Sequence, residues 1–191
     1  LLAVHQSGMP IEVLTAGVAP PLSINLRFGL QEGFVTFTVG LVALLGALHL
    51  WDVLKGNYGA LLLYLILVMG IDGLVMTRDL FNLFVFPEIA SISSYGLLGL
   101  DRTPAAIAAA FKFIMATVIA STFFLLGTVL LYYVTGTLNI DTLIAERQQI
   151  AGPIGATALV MVLACLILEL KPFPANGWGL DVYETAPSGV A

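Results

Sequence analysis

Charge is what this chain has least of. Seven Lys and Arg and 12 Asp and Glu residues make up 10% of its 191 positions, where a soluble domain carries about a quarter. That scarcity excludes an ordinary water-soluble globule. No basic run or patch is present and the formal net charge is −5, so nucleic acid is excluded as a partner. One cysteine, Cys165, lies inside an apolar run, which excludes a disulfide framework. The two histidines, His5 and His49, stand 44 residues apart with no cysteine-rich spacing between them. A metal site therefore lacks its ligands.

What replaces charge is apolar sequence, 59% of the chain with a mean hydropathy of +1.02. A membrane-spanning helix needs about 20 predominantly apolar residues. Five stretches meet that length or nearly so, at about 33–51, 58–76, 80–100, 105–134 and 154–171. The separators hold the charges. "DVLKGN" (Asp52 to Asn57) divides the first two spans and "TRD" (Thr77 to Asp79) the next two. In "DRTP", Pro104 suits the first turn of a helix, and Asp101 or Thr103 its cap. Connections this short force antiparallel neighbours, so the expected fold is an all-α polytopic bundle. Only "TGTLNIDTLIAERQQIAGP" (Thr135 to Pro153) is a long polar connection.

Residues 7–29 alternate apolar and polar around Pro20-Pro21; prolines exclude a helix there and favour a hairpin or extended surface segment. Two regions follow: 1–29, a surface loop or hairpin, and 30–191, a transmembrane helical domain. The chain opens on Leu1 rather than Met and closes on "APSGVA". The expectation is a piece of a longer protein, with residues 1–4 the tail of a preceding helix.

Ionisable residues inside spans are costly, about 2.5–3.5 kcal/mol each at mid-bilayer, and mark function by default. Glu88 lies nine residues into the third span, about 13 Å along a helix. Ser91 and Tyr95 follow it at three and seven residues, which heads a polar stripe on one helical face. Pro87 removes a backbone donor beside it. The competing reading is a protonated carboxyl that only bridges two helices. Lys112 lies eight residues into the fourth span, where snorkelling to the interface and a place in a buried polar path are equally open. Thr117, Ser121 and Thr128 then mark a seam of small polar residues for helix packing. Asp72 is expected to join Arg78 and Asp79 in an interfacial ionic cluster, and His49 to pair with Asp52.

The fifth span ends on "LELKPFPANGW" (Leu168 to Trp178). Glu169 and Lys171, two apart, would face opposite sides of a regular helix. Pro172 disfavours helical geometry at Lys171 and Pro174 extends the break. Either the span has reached the surface, or it is a broken helix, which at membrane depth is tolerated only beside protein or water and surrounds ion paths in transporters.

Three stretches resemble one family: "LVMTRDLFNLFVFPEIASISSYGLLGL", "FLLGTVLLYYVTGTLNIDTL" and "KPFPANGWGLDVYETAPSGV". They are similar to the antiporter-like membrane subunits of Mrp cation/proton antiporters (the D-type subunit), respiratory complex I and membrane-bound hydrogenases. Glu88 matches the family's span-borne glutamate, and Pro174, Trp178, Asp181 and Pro187 match its later series. The resemblance implies two inverted five-helix repeats, each with a broken helix, of which this chain holds the first half. One departure stands out. The family lysine precedes the proline by five residues, and counting back from Pro174 reaches Glu169; Lys171 is three residues before it.

The resemblance implies a proton- or cation-translocating subunit of an energy-converting complex, of NADH:quinone oxidoreductase, hydrogenase or Mrp type. Glu88, Lys171, Glu169 and Lys112 are its expected translocation residues. It also implies other membrane subunits as partners, protons or sodium as cargo, no cofactor and no active site within this chain, and the plasma membrane of a prokaryote as location. A stand-alone secondary ion transporter or channel, or a non-conducting structural membrane subunit, is the alternative.

Overall fold

Most of the long helices begin where a polar side chain can serve the orphan amides of the first turn. The computed structural model describes residues 4, 8–15, 17–18, 23–173 and 176–186, without the side chains of residues 101 and 178. Pro20, Pro21, Pro174 and Pro187, and most of residues 1–7, lie outside the described residues.

Strands β1 (Ile11–Leu14) and β2 (Asn25–Phe28) pair antiparallel, Ile11 opposite Phe28 and Leu14 opposite Asn25. Helix α1 (Leu30–His49) follows, starting three residues before the apolar run because Glu32 Oε2 accepts from the Gly29 amide at 3.0 Å. A short α2 (Trp51–Leu54) leads to α3 (Tyr58–Met76), whose first turn Asn57 caps through Ala60 at 3.1 Å. Asp79 caps α4 (Leu80–Leu98), accepting from Phe81 and Asn82 at 2.9 and 3.1 Å. Thr103, with Pro104 at the first helical position, starts α5 (Pro104–Thr135). Gly136 stops α5 in the left-handed conformation, φ 69°. Then come α6 (Ile140–Ala145), α7 (Pro153–Leu170) and α8 (Gly177–Thr185). The segment after the fifth span, expected as loop, thus resumes as helix over α8 once the proline-bearing break has passed.

Five of these helices, α1, α3, α4, α5 and α7, are long and apolar enough to cross a membrane. The 32 residues of α5 rise about 48 Å, well beyond a hydrocarbon core of about 30 Å. Neighbours pack in series, α1 on α3, α3 on α4, α4 on α5, and most extensively α5 on α7.

Small residues set the close approaches, as expected where lipid offers no hydrophobic drive between helices. A Cβ at Gly127 would stand 2.8 Å from the Ala158 carbonyl oxygen, so the α5 and α7 backbones touch there. Nearby, Ala120, Phe124 and Cys165 form a buried cluster. Gly127→Ala is expected to cost about 1–3 kcal/mol by overpacking, read as a lower thermal unfolding midpoint of the purified protein. An unchanged midpoint would mean the two helices separate freely at this point. Gly70 plays the same part on α3, since a Cβ there would lie 3.1 Å from the Phe86 carbonyl oxygen. That contact abuts Pro87, and α4 runs through Pro87 without ending.

The ionic cluster expected of Asp72, Arg78 and Asp79 does not form. Asp79 is committed to its cap, Asp72 Oδ1 is buried with no hydrogen-bond partner among the described residues, and Arg78 turns to α6 instead. Arg78 Nε donates to Asp141 Oδ2 at 3.2 Å while Nη2 donates to Oδ1, a two-pronged ion pair across 63 residues. Nor does His49 hold Asp52, which pairs with Lys55 at 2.5 Å. Around Arg78 three connections are stitched together. Asn139 Nδ2 donates to Asn25 Oδ1 at 2.9 Å, the Arg78 amide to the Asn25 carbonyl at 3.1 Å, and the Ile140 amide to the Arg78 carbonyl at 2.9 Å. The hairpin is thereby fixed to one end of the helical bundle.

The hydrogen bond from Arg78, aided by its charge, holds the Asp141 carboxyl below the usual carboxylate range against the opposing effect of partial burial. A depressed folded-state pKa adds stability that is fully present above the unfolded value of about 3.9 and is lost as pH falls through the folded value. The pair is half-exposed, so its worth is about 1 kcal/mol or less. Asp141→Asn is expected to lower the unfolding midpoint slightly at neutral pH and to flatten its fall in acid. Thermal scans at neutral and acid pH check both.

Candidate functional site

The polar residues of α4 line up as spacing requires. Glu88, Ser91 and Tyr95 share one face, and Ser91 lies beside the Tyr95 hydroxyl. Tyr95 reaches α5, where its hydroxyl hydrogen-bonds that of Thr117. Thr117 is buried and its own hydroxyl proton goes to the carbonyls of Phe113 and Ile114, at 3.0 and 3.1 Å, so Tyr95 is the donor. The Tyr95 ring meets Phe113 edge-on, with centroids 4.8 Å apart.

The end of α7 brings the other charges to this place. Pro172 discourages a right-handed helical conformation at the residue before it, and Lys171 terminates the helix in the left-handed region, φ 52° and ψ 45°. A side chain with a Cβ enters that region at a cost of about 1–2 kcal/mol, which marks the position as one held by its surroundings. Glu169 lies two residues before it, exposed in the last turn of α7. Lys171 Nζ stands 5.3 Å from the centre of the Phe113 ring, within cation–π range. Lys171 and Tyr95 thus meet across Phe113, with Glu88 and Ser91 further along the Tyr95 face of α4 and Glu169 in the last turn of α7.

Lys112 is the fourth expected site residue, and neither expected environment describes it fully: its ammonium donates to the Asp181 carboxylate of α8. Sequence reasoning matches Asp181 to a family position but gives it no role. Of the small polar seam on α5, Thr117 and Thr128 are buried, and the Thr128 hydroxyl has no partner among the described residues. Ser121 sits further out and bonds only its own helix, through the Val118 carbonyl.

Lys171 lies on a cavity of about 180 Å³ also lined by Leu67, Ser94, Phe113, Gly179 and Tyr183. Gly179 is buried, and a Cβ there would come within 3.3 Å of Lys171 Cδ; the glycine leaves room for the lysine stem. Among the described residues, no group of three or more His, Cys, Asp and Glu could hold a metal. The arrangement can hold and exchange protons among carboxylates, an ammonium and hydroxyls at membrane depth. It offers no nucleophile–base pair.

The chain is similar to known membrane proteins. Residues 77–191 match the family described as NADH:quinone oxidoreductase/Mrp antiporter, TM. NADH-quinone oxidoreductase subunit N of Desulforudis audaxviator is 31% identical over 189 residues, 96% of this chain and 38% of that protein. The D-type Na(+)/H(+) antiporter subunit of Alkalihalophilus pseudofirmus is 31% identical over 192 residues, 98% and 39%. Among solved structures, a chain of the membrane-bound sulfane sulfur reductase, an archaeal respiratory membrane complex, superposes with a TM-score of 0.84. It is 33% identical and covers 99% of this chain and 39% of that one. A chain of the Mrp complex from a Dietzia species gives 0.81 at 29% identity, covering 96% and 35%. The chain thus spans under two fifths of the length of these relatives.

Proposed function

This chain belongs to the NADH:quinone oxidoreductase/Mrp antiporter family of transmembrane proteins, and we propose that it is the ion-translocating first half of an antiporter-like subunit in an energy-converting membrane complex. It is an integral membrane protein; its membrane, on this reading, is the plasma membrane of a prokaryote, and its partners are further membrane subunits of the complex. Protons, or sodium exchanged for them, are the cargo.

The observation that carries the proposal is the approach of Lys171, at the end of α7, to the polar face of α4: Lys171 lies over Phe113, Phe113 meets Tyr95, Tyr95 bonds Thr117, and Glu88 lies on the same face of α4 as Tyr95. A charge in a low-dielectric interior depends on its partner. Forming and opening a Glu88–Lys171 pair therefore couples proton transfer at each group to the state of the other. Glu169 holds Lys171 or accepts a proton between these states. Ser91, Tyr95 and Thr117 supply hydroxyls through which a proton can move. Any redox chemistry resides in partner subunits.

The deciding experiment is translocation by the assembled complex in sealed vesicles, with Glu88, Lys171 and Glu169 neutralised one at a time. Loss of transport with assembly intact supports the proposal. Full transport in every variant refutes it and leaves these groups a structural role.

A further inference from the structure

We infer that Lys112 and Asp181 form a tether that positions the wall of the Lys171 cavity, which makes them positioning residues for that site. Helix α8 packs against α5, yet little of it is buried. That helix has nine residues, too few to be stable alone. Gly179 is the one residue of α8 that is buried among those whose side chains are described, while Leu180 and Tyr183 are 60% and 61% exposed. Its ion pair with Lys112 is the one salt bridge among the described residues that reaches it, and it joins positions 69 apart in the chain.

The two tethered elements are the two that enclose Lys171. Gly179 of α8, two residues before Asp181, faces the lysine stem so closely that an added Cβ would stand 3.3 Å from Lys171 Cδ. Phe113 of α5, next to Lys112, lies under its ammonium. Val182, Tyr183 and Ala186 extend the α8 wall of the same cavity. A displacement of α8 from α5 would therefore move both surfaces between which Lys171 lies. The Lys112 and Asp181 side chains are 57% and 40% exposed. In water such a pair would be weak; beside lipid and protein the lower dielectric strengthens it.

The consequence for transport rests on the function proposed above, but the tether does not, and its test is blind to transport. In the full-length protein in native membranes, with native cysteines removed, Lys171→Cys reports access to the cavity through its rate of labelling by a water-soluble maleimide. Lys112→Met and Asp181→Asn, each close in shape to the residue replaced, are expected to raise that rate about fivefold. Because both remove one interaction, the double variant should label no faster than either single one, and Lys112→Arg, which keeps the charge, should label at the parent rate. Parent-like labelling in both neutral variants, or effects that add in the double, overturns the tether. Translocation measured in the Lys171 parent separates the two claims. Full transport in the Glu88, Lys171 and Glu169 variants alongside coupled labelling effects would remove the proposed function and leave the tether standing.

Discussion

Glu88→Gln is expected to abolish ion translocation while leaving the complex assembled. Glutamine keeps the shape and hydrogen-bonding capacity of the side chain, so the packing of α4 against α3 at Gly70 and Phe86 is undisturbed. What disappears is the negative charge and the proton it can carry. Losing one partner of a buried ion pair costs about 3–5 kcal/mol. Carried into the transport barrier through the proposed Glu88–Lys171 pair, that is a loss of about a hundred- to several thousandfold, since each 1.36 kcal/mol is a factor of ten. Dye-reported pH gradients in sealed vesicles measure the rate, and native gel electrophoresis measures assembly. An unchanged gradient would mean that Glu88 is a neutral bridge between helices.

Lys171→Ala carries the second-largest expected effect. It removes the ammonium that lies over Phe113, leaving Glu169 as the charge at the end of α7. Transport should fall at least about tenfold, in line with the cost of an uncompensated charge. Comparison with Glu169→Gln then resolves the departure from the family spacing. If Lys171→Ala is inactive and Glu169→Gln retains transport, the positive charge has moved two positions along the chain and Glu169 is a bystander. If Glu169→Gln is the inactive one, a carboxylate has taken over the place of the family lysine.

The expected and observed structures differ most where side chains from distant parts of the sequence meet. The start of α5 at Thr103 and Pro104 is readable from sequence because capping is local, a matter of three or four residues. The pairing of Arg78 with Asp141, 63 residues away, is not. Charges near in sequence are the natural first choice of partner, yet Asp79 is already occupied by backbone amides. The same holds for Asn139, whose partner Asn25 is 114 residues distant. For Lys112, hydropathy leaves snorkelling and a buried path open, and the partner on α8 belongs to neither. Lys171 shows a subtler limit. Periodicity assumes right-handed geometry up to the last residue, and Lys171 leaves it for the left-handed region.

By itself, then, the sequence determined the membrane environment, the five spans, their antiparallel order and the break after Leu170. Each of these follows from local properties: apolar run length, capping residues, connection length and proline stereochemistry. Tertiary structure alone decided which charges share a site. Ion pairing at membrane depth depends on distances between helices that packing sets, through contacts such as Gly127 against Ala158 and Gly179 against Lys171, and no local periodicity encodes those distances.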